Sequence, residues 1–127
     1  MLTRTVIATP GAALPVGPYS QAIAAGDFVF VAGEKGIDPA TNKIVEGGIA
    51  AETRQTLENI KAILAAAGLG LDRVVRSVVY MTDLGRFGEM NAVYAEYFPQ
   101  DPPGRSCVQV VALPAGAHVE IEVTAAR

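Results

Sequence analysis

Arg105 is the most informative of the residues in this 127-residue chain that are able to do polar chemistry. It follows Pro102-Pro103-Gly104 and begins an alternating run from Arg105 to Val111, so its guanidinium is expected on a rigid strand. A fixed guanidinium fork suits bidentate capture of a planar carboxylate, at roughly 1.5–3 kcal/mol per charged hydrogen bond. The plainer role is an arginine at a strand end that pairs with Glu120 or Glu122. Cys107 follows two residues later and invites a nucleophile, which would need a base or a positive microenvironment. His118 lies across a connection whose register the sequence does not fix. A small buried hydrophobe is therefore the favoured role for Cys107, with its strand-bound main chain still able to serve a ligand.

Glu120 and Glu122 alternate on the last strand and are expected to share the sheet face of Arg105. Either would orient a water or take a proton if partial desolvation raised its pKa, and solvent exposure is the alternative. Tyr19 follows Gly17-Pro18 on a stiffened loop that aims its phenol, although core packing explains a tyrosine equally well. Asn91 falls beside an aromatic stripe on a helix, where an amide has low helix propensity and calls for a hydrogen-bond partner. His118, at a turn-to-strand boundary, reads most simply as solvated. With a single cysteine and a single histidine the chain cannot fill a four-ligand Cys/His zinc site. The glycines between Gly33 and Gly48 lack the phosphate-loop spacing before Lys and Ser/Thr, so neither a metal nor a nucleotide is expected.

The elements that must position these residues follow from pattern. Thr3–Thr9 reads as a strand, followed by a loop of Pro10, Gly11, Pro15, Gly17 and Pro18. Ser20–Ala25 and Phe28–Ala32 read as a hairpin about Gly26-Asp27, and Gly33–Gly48 as a long surface loop. Ile49, Thr53, Leu57, Ile60, Leu64 and Ala67 recur at intervals of three and four, predicting a helix over Ile49–Ala67 that Gly68 ends. Val74–Met81 is dense in β-branched residues and predicts a strand covered on both faces. Phe87, Met90, Tyr94, Tyr97 and Phe98 form the stripe of a second helix, Arg86–Phe98, stopped by Pro99. Arg105–Val111 and His118–Ala125 then alternate and are expected to pair as a hairpin across Leu113-Pro114-Ala115-Gly116. Parity places Val108, Val110, Val119, Ile121 and Val123 on an apolar face, and Arg105, Cys107, Gln109, Glu120, Glu122 and Thr124 on the other. This order predicts an α+β two-layer sandwich, a mixed sheet of about six strands with two helices on one face. The polar face of the sheet is then either solvated or used for assembly.

Composition bounds the function. Ten Lys+Arg against 13 Asp+Glu leave a net charge of −3, so neither nucleic acid nor an anionic membrane is the expected partner. A lone thiol points to a reducing compartment and a cytoplasmic location. Breakers interrupt the first 13 residues before any secretory apolar run, and no later stretch is long enough to span a bilayer.

Four segments, in this order of elements, resemble the Rid family (YjgF-like, reactive intermediate deaminase A). They are Gly17-Pro18-Tyr19-Ser20-Gln21, Asn91-Ala92-Val93-Tyr94, Arg105-Ser106-Cys107-Val108 and Val119-Glu120-Ile121-Glu122. The resemblance runs from Thr5 to the C-terminus and makes residues 1–127 one Rid-type domain. It implies a chorismate-mutase-like fold assembled as a homotrimer with sites between subunits. The active branch of the family hydrolyses 2-imino acids released by pyridoxal-phosphate enzymes to 2-oxo acids and ammonia, without a cofactor. The implied roles are Arg105 on the substrate carboxylate, the Cys107 main chain against the substrate, Gly33 lining the pocket, Tyr19 and Asn91 as polar walls, and Glu120 beside the attacking water. Where many family members read Ser-Gly-Gln, this chain has Ala32-Gly33-Glu34, followed by Lys35-Gly36. An endoribonuclease, as some members are called, and a non-catalytic metabolite-binding trimer are the alternatives.

Overall fold

The structure is a computed structural model that describes residues 3–127; Met1 and Leu2 of the expected 1–127 unit lie outside the described residues. Its elements are β1 (Arg4–Ile7), β2 (Ala22–Ala25), β3 (Phe28–Lys35), β4 (Ile37–Asp38), β5 (Lys43–Ile44), α1 (Gly48–Ala66), β6 (Val74–Met81), α2 (Phe87–Tyr97), β7 (Gly104–Gln109) and β8 (Val119–Ala126). Six strands form one mixed sheet in the order β1-β2-β3-β8-β6-β7, and β4 with β5 makes a separate small hairpin. Both helices pack on one face of the large sheet, the expected α+β two-layer arrangement.

Local chemistry explains most of these elements. Gly26, at φ 58°, makes the tight turn between β2 and β3, and Gly68, at φ 77°, ends α1 as its N–H donates to the Ala65 carbonyl. Leu57, Ile60 and Leu64 of α1 are fully buried against Val29, Val79, Val119 and Ile121 of the sheet. Burial of a large aliphatic side chain contributes roughly 1.5–3 kcal/mol, which outweighs helix propensity in placing α1. The buried Asn59 amide donates to the carbonyls of Lys35 and Ile37, at 3.1 and 2.9 Å, and ties α1 to the end of β3.

Three expectations need correction. The Gly33–Gly48 segment is not one loop: β3 runs on through Lys35 and the β4–β5 hairpin follows it. β6 is covered on one face only, with Val75 exposed on the other. The third correction bears on function. β7 and β8 do not form a hairpin, because β7 pairs with β6 in parallel while β8 lies between β3 and β6. β7 reaches its place through the crossover helix α2, and its parity is the reverse of that expected. Arg105 sits opposite Ser77, and Cys107 opposite Val79, on the helix-covered face; Val108 sits opposite Tyr80 on the open face. The parity of β8 is as expected: Val119, Ile121 and Val123 are buried, whereas Glu120 and Glu122 point to the open face.

Candidate functional site

Arg105 lies on edge strand β7 with its guanidinium against α2, 4.7 Å from the Tyr94 ring centre and 5.4 Å from that of Phe87. No carboxylate among the described residues lies within ion-pair distance of it. The pairing with Glu120 or Glu122 that the sequence allowed does not form. Two grooves flank the guanidinium. One, of about 550 Å³, is lined by Asn91, Tyr94, Ala95, Phe98, Pro102 and Pro103; the other, of about 430 Å³, by Leu84, Phe87 and Cys107. Asn91 therefore stands in the same groove as Arg105 within one chain.

The Cys107 thiol is half-buried, and burial pushes its pKa up, partly offset by Arg105 beside it. His118 is no base for it, because its ring Nδ1 lies 2.6 Å from Oε2 of the buried Glu52, whose Oε1 also accepts the His118 backbone N–H at 2.8 Å. His118 thus ties the start of β8 to α1 through Glu52, while most of its side chain stays exposed to solvent as the sequence suggested. In any turnover the chain performs, Cys107→Ala is accordingly expected to keep most of the rate, and intact-mass spectrometry to detect no adduct on the thiol.

A second group of residues gathers on β3 and β8. A β-bulge between Val31 and Glu34 brings Lys35 opposite Glu120, and the Lys35 Nζ lies 3.6 Å from Glu120 Oε1 and donates to the Gly33 carbonyl at 3.3 Å. A Cβ at Gly33 would collide with the Glu120 carboxylate, so only glycine allows this approach. Glu34 is buried, and burial above all raises its pKa to about 8; Glu120 adds to the shift and Lys35 opposes it. Because the folded state holds this proton and the unfolded chain releases it near 4.5, the contribution of Glu34 to stability is present below that pH and lost as pH rises through about 8. Glu34→Gln is therefore expected to stabilise the fold by up to a few kcal/mol at pH 9 and by little at pH 5. Thermal melts at the two pH values check this; an equal gain at both would refute it.

Tyr19 stands on the loop between β1 and β2, its hydroxyl accepting the Val16 N–H at 3.2 Å, and is substantially exposed. The buried Gln21 holds that loop: its Oε1 accepts the Thr9 N–H at 2.7 Å, and its Nε2 donates to the carbonyls of Thr9 and Ala13 at 3.1 and 2.8 Å. Within one chain, then, Arg105, Cys107 and Asn91 come together, and Gly33 and Glu120 come together. The two groups lie on opposite faces of the sheet, with β6 between β7 and β8. Sequence reasoning did not single out Phe87, Tyr94 and Ser77 around Arg105, or Lys35 beside Glu120. Phe87 was visible only in a helix stripe that core packing alone would also produce, and Tyr94 in that stripe and in the Asn91–Tyr94 segment, with no sign of its place beside Arg105.

The profile of the family described as Endoribonuclease L-PSP matches residues 10–127. A RutC family protein of Pyrococcus horikoshii is 52% identical over 122 residues, covering 96% of this chain and 97% of that one. The chain belongs to the Rid (YjgF-like, L-PSP) family. A Bos taurus member named 2-iminobutanoate/2-iminopropanoate deaminase is 42% identical over 126 residues, covering 99% of this chain and 92% of its own. The crystal structure of RidA from an Antarctic Psychrobacter superposes with a TM-score of 0.94 at 42% identity, over 97% of this chain and 99% of that one. The fold is thus the chorismate-mutase-like α+β fold of Rid proteins. No helix among the described residues is long and apolar enough to cross a membrane.

Proposed function

We propose that this Rid chain hydrolyses 2-imino acids to 2-oxo acids and ammonia, as a cofactor-independent deaminase of the 2-iminobutanoate/2-iminopropanoate type. The observation that carries the proposal is the Arg105 fork, held on a strand between two grooves with no carboxylate within ion-pair distance among the described residues. Grooves of this size suit a small acid, and the name of the Bos taurus relative supports an imine as its electrophile. A net charge of −3 favours such a substrate over a polyanion such as RNA.

In this proposal Arg105 grips the substrate carboxylate, the main chain at Cys107 and Gly33 lines the pocket, and Tyr19 and Asn91 form polar walls. Glu120 holds a water and accepts its proton as the oxygen bonds to C2 of the protonated imine, while the C=N π electrons move to nitrogen. Glu120 then returns the proton to that nitrogen, the C–N bond breaks with loss of ammonia, and the C2 hydroxyl loses its proton to give the 2-oxo acid. Orientation and proton transfer suffice, because a protonated imine is already electrophilic.

Since Arg105 and Glu120 occupy opposite faces of one sheet, the site in this proposal is completed by a second copy of the chain. Two exposed apolar regions on the open face support such packing: Val6, Phe28 and Phe30 near β1 and β3, and Val108 on β7 at the far end. A contact between unlike patches repeats head to tail and closes into a ring, which the family resemblance makes a homotrimer. The test of activity couples an amino-acid oxidase, which generates the imine, to trapping of that imine by semicarbazide. Added protein is expected to slow semicarbazone formation in proportion to its concentration. No effect would reject the deaminase and leave a carboxylate-binding trimer.

A further inference from the structure

We infer that Phe87 and Tyr94 form an aromatic clamp that sets the direction of the Arg105 fork, with the buried Ser77 hydroxyl holding Tyr94 in place. The inference rests on the proposed role of Arg105 as carboxylate anchor and names the residues that position it. An arginine side chain carries many rotamers, and a guanidinium with no anionic partner would ordinarily sample them in water. Here the planar group lies near two ring centres, at 4.7 and 5.4 Å, within the range of a cation–π contact. A cation–π contact commits no N–H to an anion, so the fork keeps its donors for a ligand, which an ion pair would not allow.

The clamp is itself fixed from within the core. Tyr94 is buried, its hydroxyl 2.7 Å from the Ser77 Oγ, and its ring packs against Phe98 with centres 4.7 Å apart. Ser77 is fully buried on β6, directly opposite Arg105 in the β6–β7 register. One pair of neighbouring strands thereby holds both the cation and the hydroxyl that orients its aromatic partner. Phe87 is partly exposed at the start of α2, gives the guanidinium its second ring at 5.4 Å, and also lines the groove with Leu84 and Cys107. All three are therefore positioning residues that act through Arg105.

Titration of the full-length protein with 2-oxobutanoate, followed by NMR, tests the clamp through binding and without turnover. Phe87→Leu is expected to weaken binding about five- to thirty-fold, and Phe87→Tyr to restore it to within about two-fold, because only an aromatic face supplies the contact. In the oxidase-coupled assay the same loss is expected in KM, with kcat changed by less than about two-fold, as for an interaction equal in ground and transition states. The double variant Ser77→Ala with Tyr94→Phe removes both hydroxyls without orphaning either, and is expected to weaken binding at least about three-fold. Arg105→Ala is the control. If it abolishes binding while Phe87→Leu binds like the wild type, or while Phe87→Tyr fails to rescue, the clamp is wrong and the anchor stands. If Arg105→Ala binds like the wild type, the anchor is wrong and the clamp falls with it.

Discussion

Arg105→Ala is expected to reduce imine hydrolysis to the uncatalysed background while the chain stays folded. Two charged hydrogen bonds from the fork to a carboxylate, at about 1.5–3 kcal/mol each, amount to about 3–6 kcal/mol, or roughly 10²–10⁴-fold in kcat/KM. The fold loses much less. Arg105 is half-buried on an edge strand, with no carboxylate within ion-pair distance among the described residues, so truncation removes only its contacts with Phe87 and Tyr94, worth about 2 kcal/mol at most. Arg105→Lys is expected to recover little, because an ammonium reproduces neither the two-pronged geometry nor the flat face. The semicarbazide-trapping rate, read beside a thermal melt, checks both halves. Near-wild-type turnover by a folded alanine variant would move the carboxylate site elsewhere.

The reason Arg105 was legible as a candidate is local, whereas its surroundings depend on topology. A strand start stiffened by Pro-Pro-Gly is written in the sequence, and so are the alternation of β8 and the three-and-four spacing of α1. The face on which Arg105 lies is not written there, because β7 alternates polar and apolar residues with no large aliphatic under the helices. Cys107, a small thiol, takes the core-facing position, and Val108 is left outside. Parity assigned by hydrophobicity therefore inverted the strand, and assuming that successive strands pair as a hairpin reinforced the error. The parallel β6–β7 pairing settles the matter, since strands joined by a helix lie side by side with opposing residues on one face.

The β3 end illustrates a different limit. Alternation carried past Val31 would send Glu34 and Lys35 to the wrong faces, because the bulge adds a residue that no hydrophobic pattern marks. Only that bulge brings the Lys35 ammonium beside Glu120 and buries Glu34. The departure from Ser-Gly-Gln was visible as letters; its consequence, a single ammonium beside the proposed water-activating carboxylate, follows only from the bulge. Likewise Gln21 belonged to a recognisable segment, but its three hydrogen bonds across the Tyr19 loop had no signature of their own.

Separation of Arg105 and Glu120 onto opposite faces makes the largest prediction about assembly, and it can be tested by mixing two inactive proteins. Arg105→Ala and Glu120→Gln variants are each expected to show background activity alone. If every site takes Arg105 from one subunit and Glu120 from its neighbour, a chain lacking one residue can still lend the other. Dissociating an equal mixture and letting it reassemble then gives a functional site wherever the arginine comes from a Glu120→Gln chain and the carboxylate from an Arg105→Ala chain. Random assortment in a cyclic oligomer satisfies both conditions at roughly a quarter of sites, so about a quarter of wild-type activity is expected to return. Restoration requires exchange: variants mixed without dissociation should stay inactive, and a monomeric variant such as Phe30→Asp, which places a charge in one of the exposed apolar regions, should be inactive although folded. Sites complete within one chain would give no recovery in any mixture, and light scattering would then find the Phe30→Asp monomer fully active.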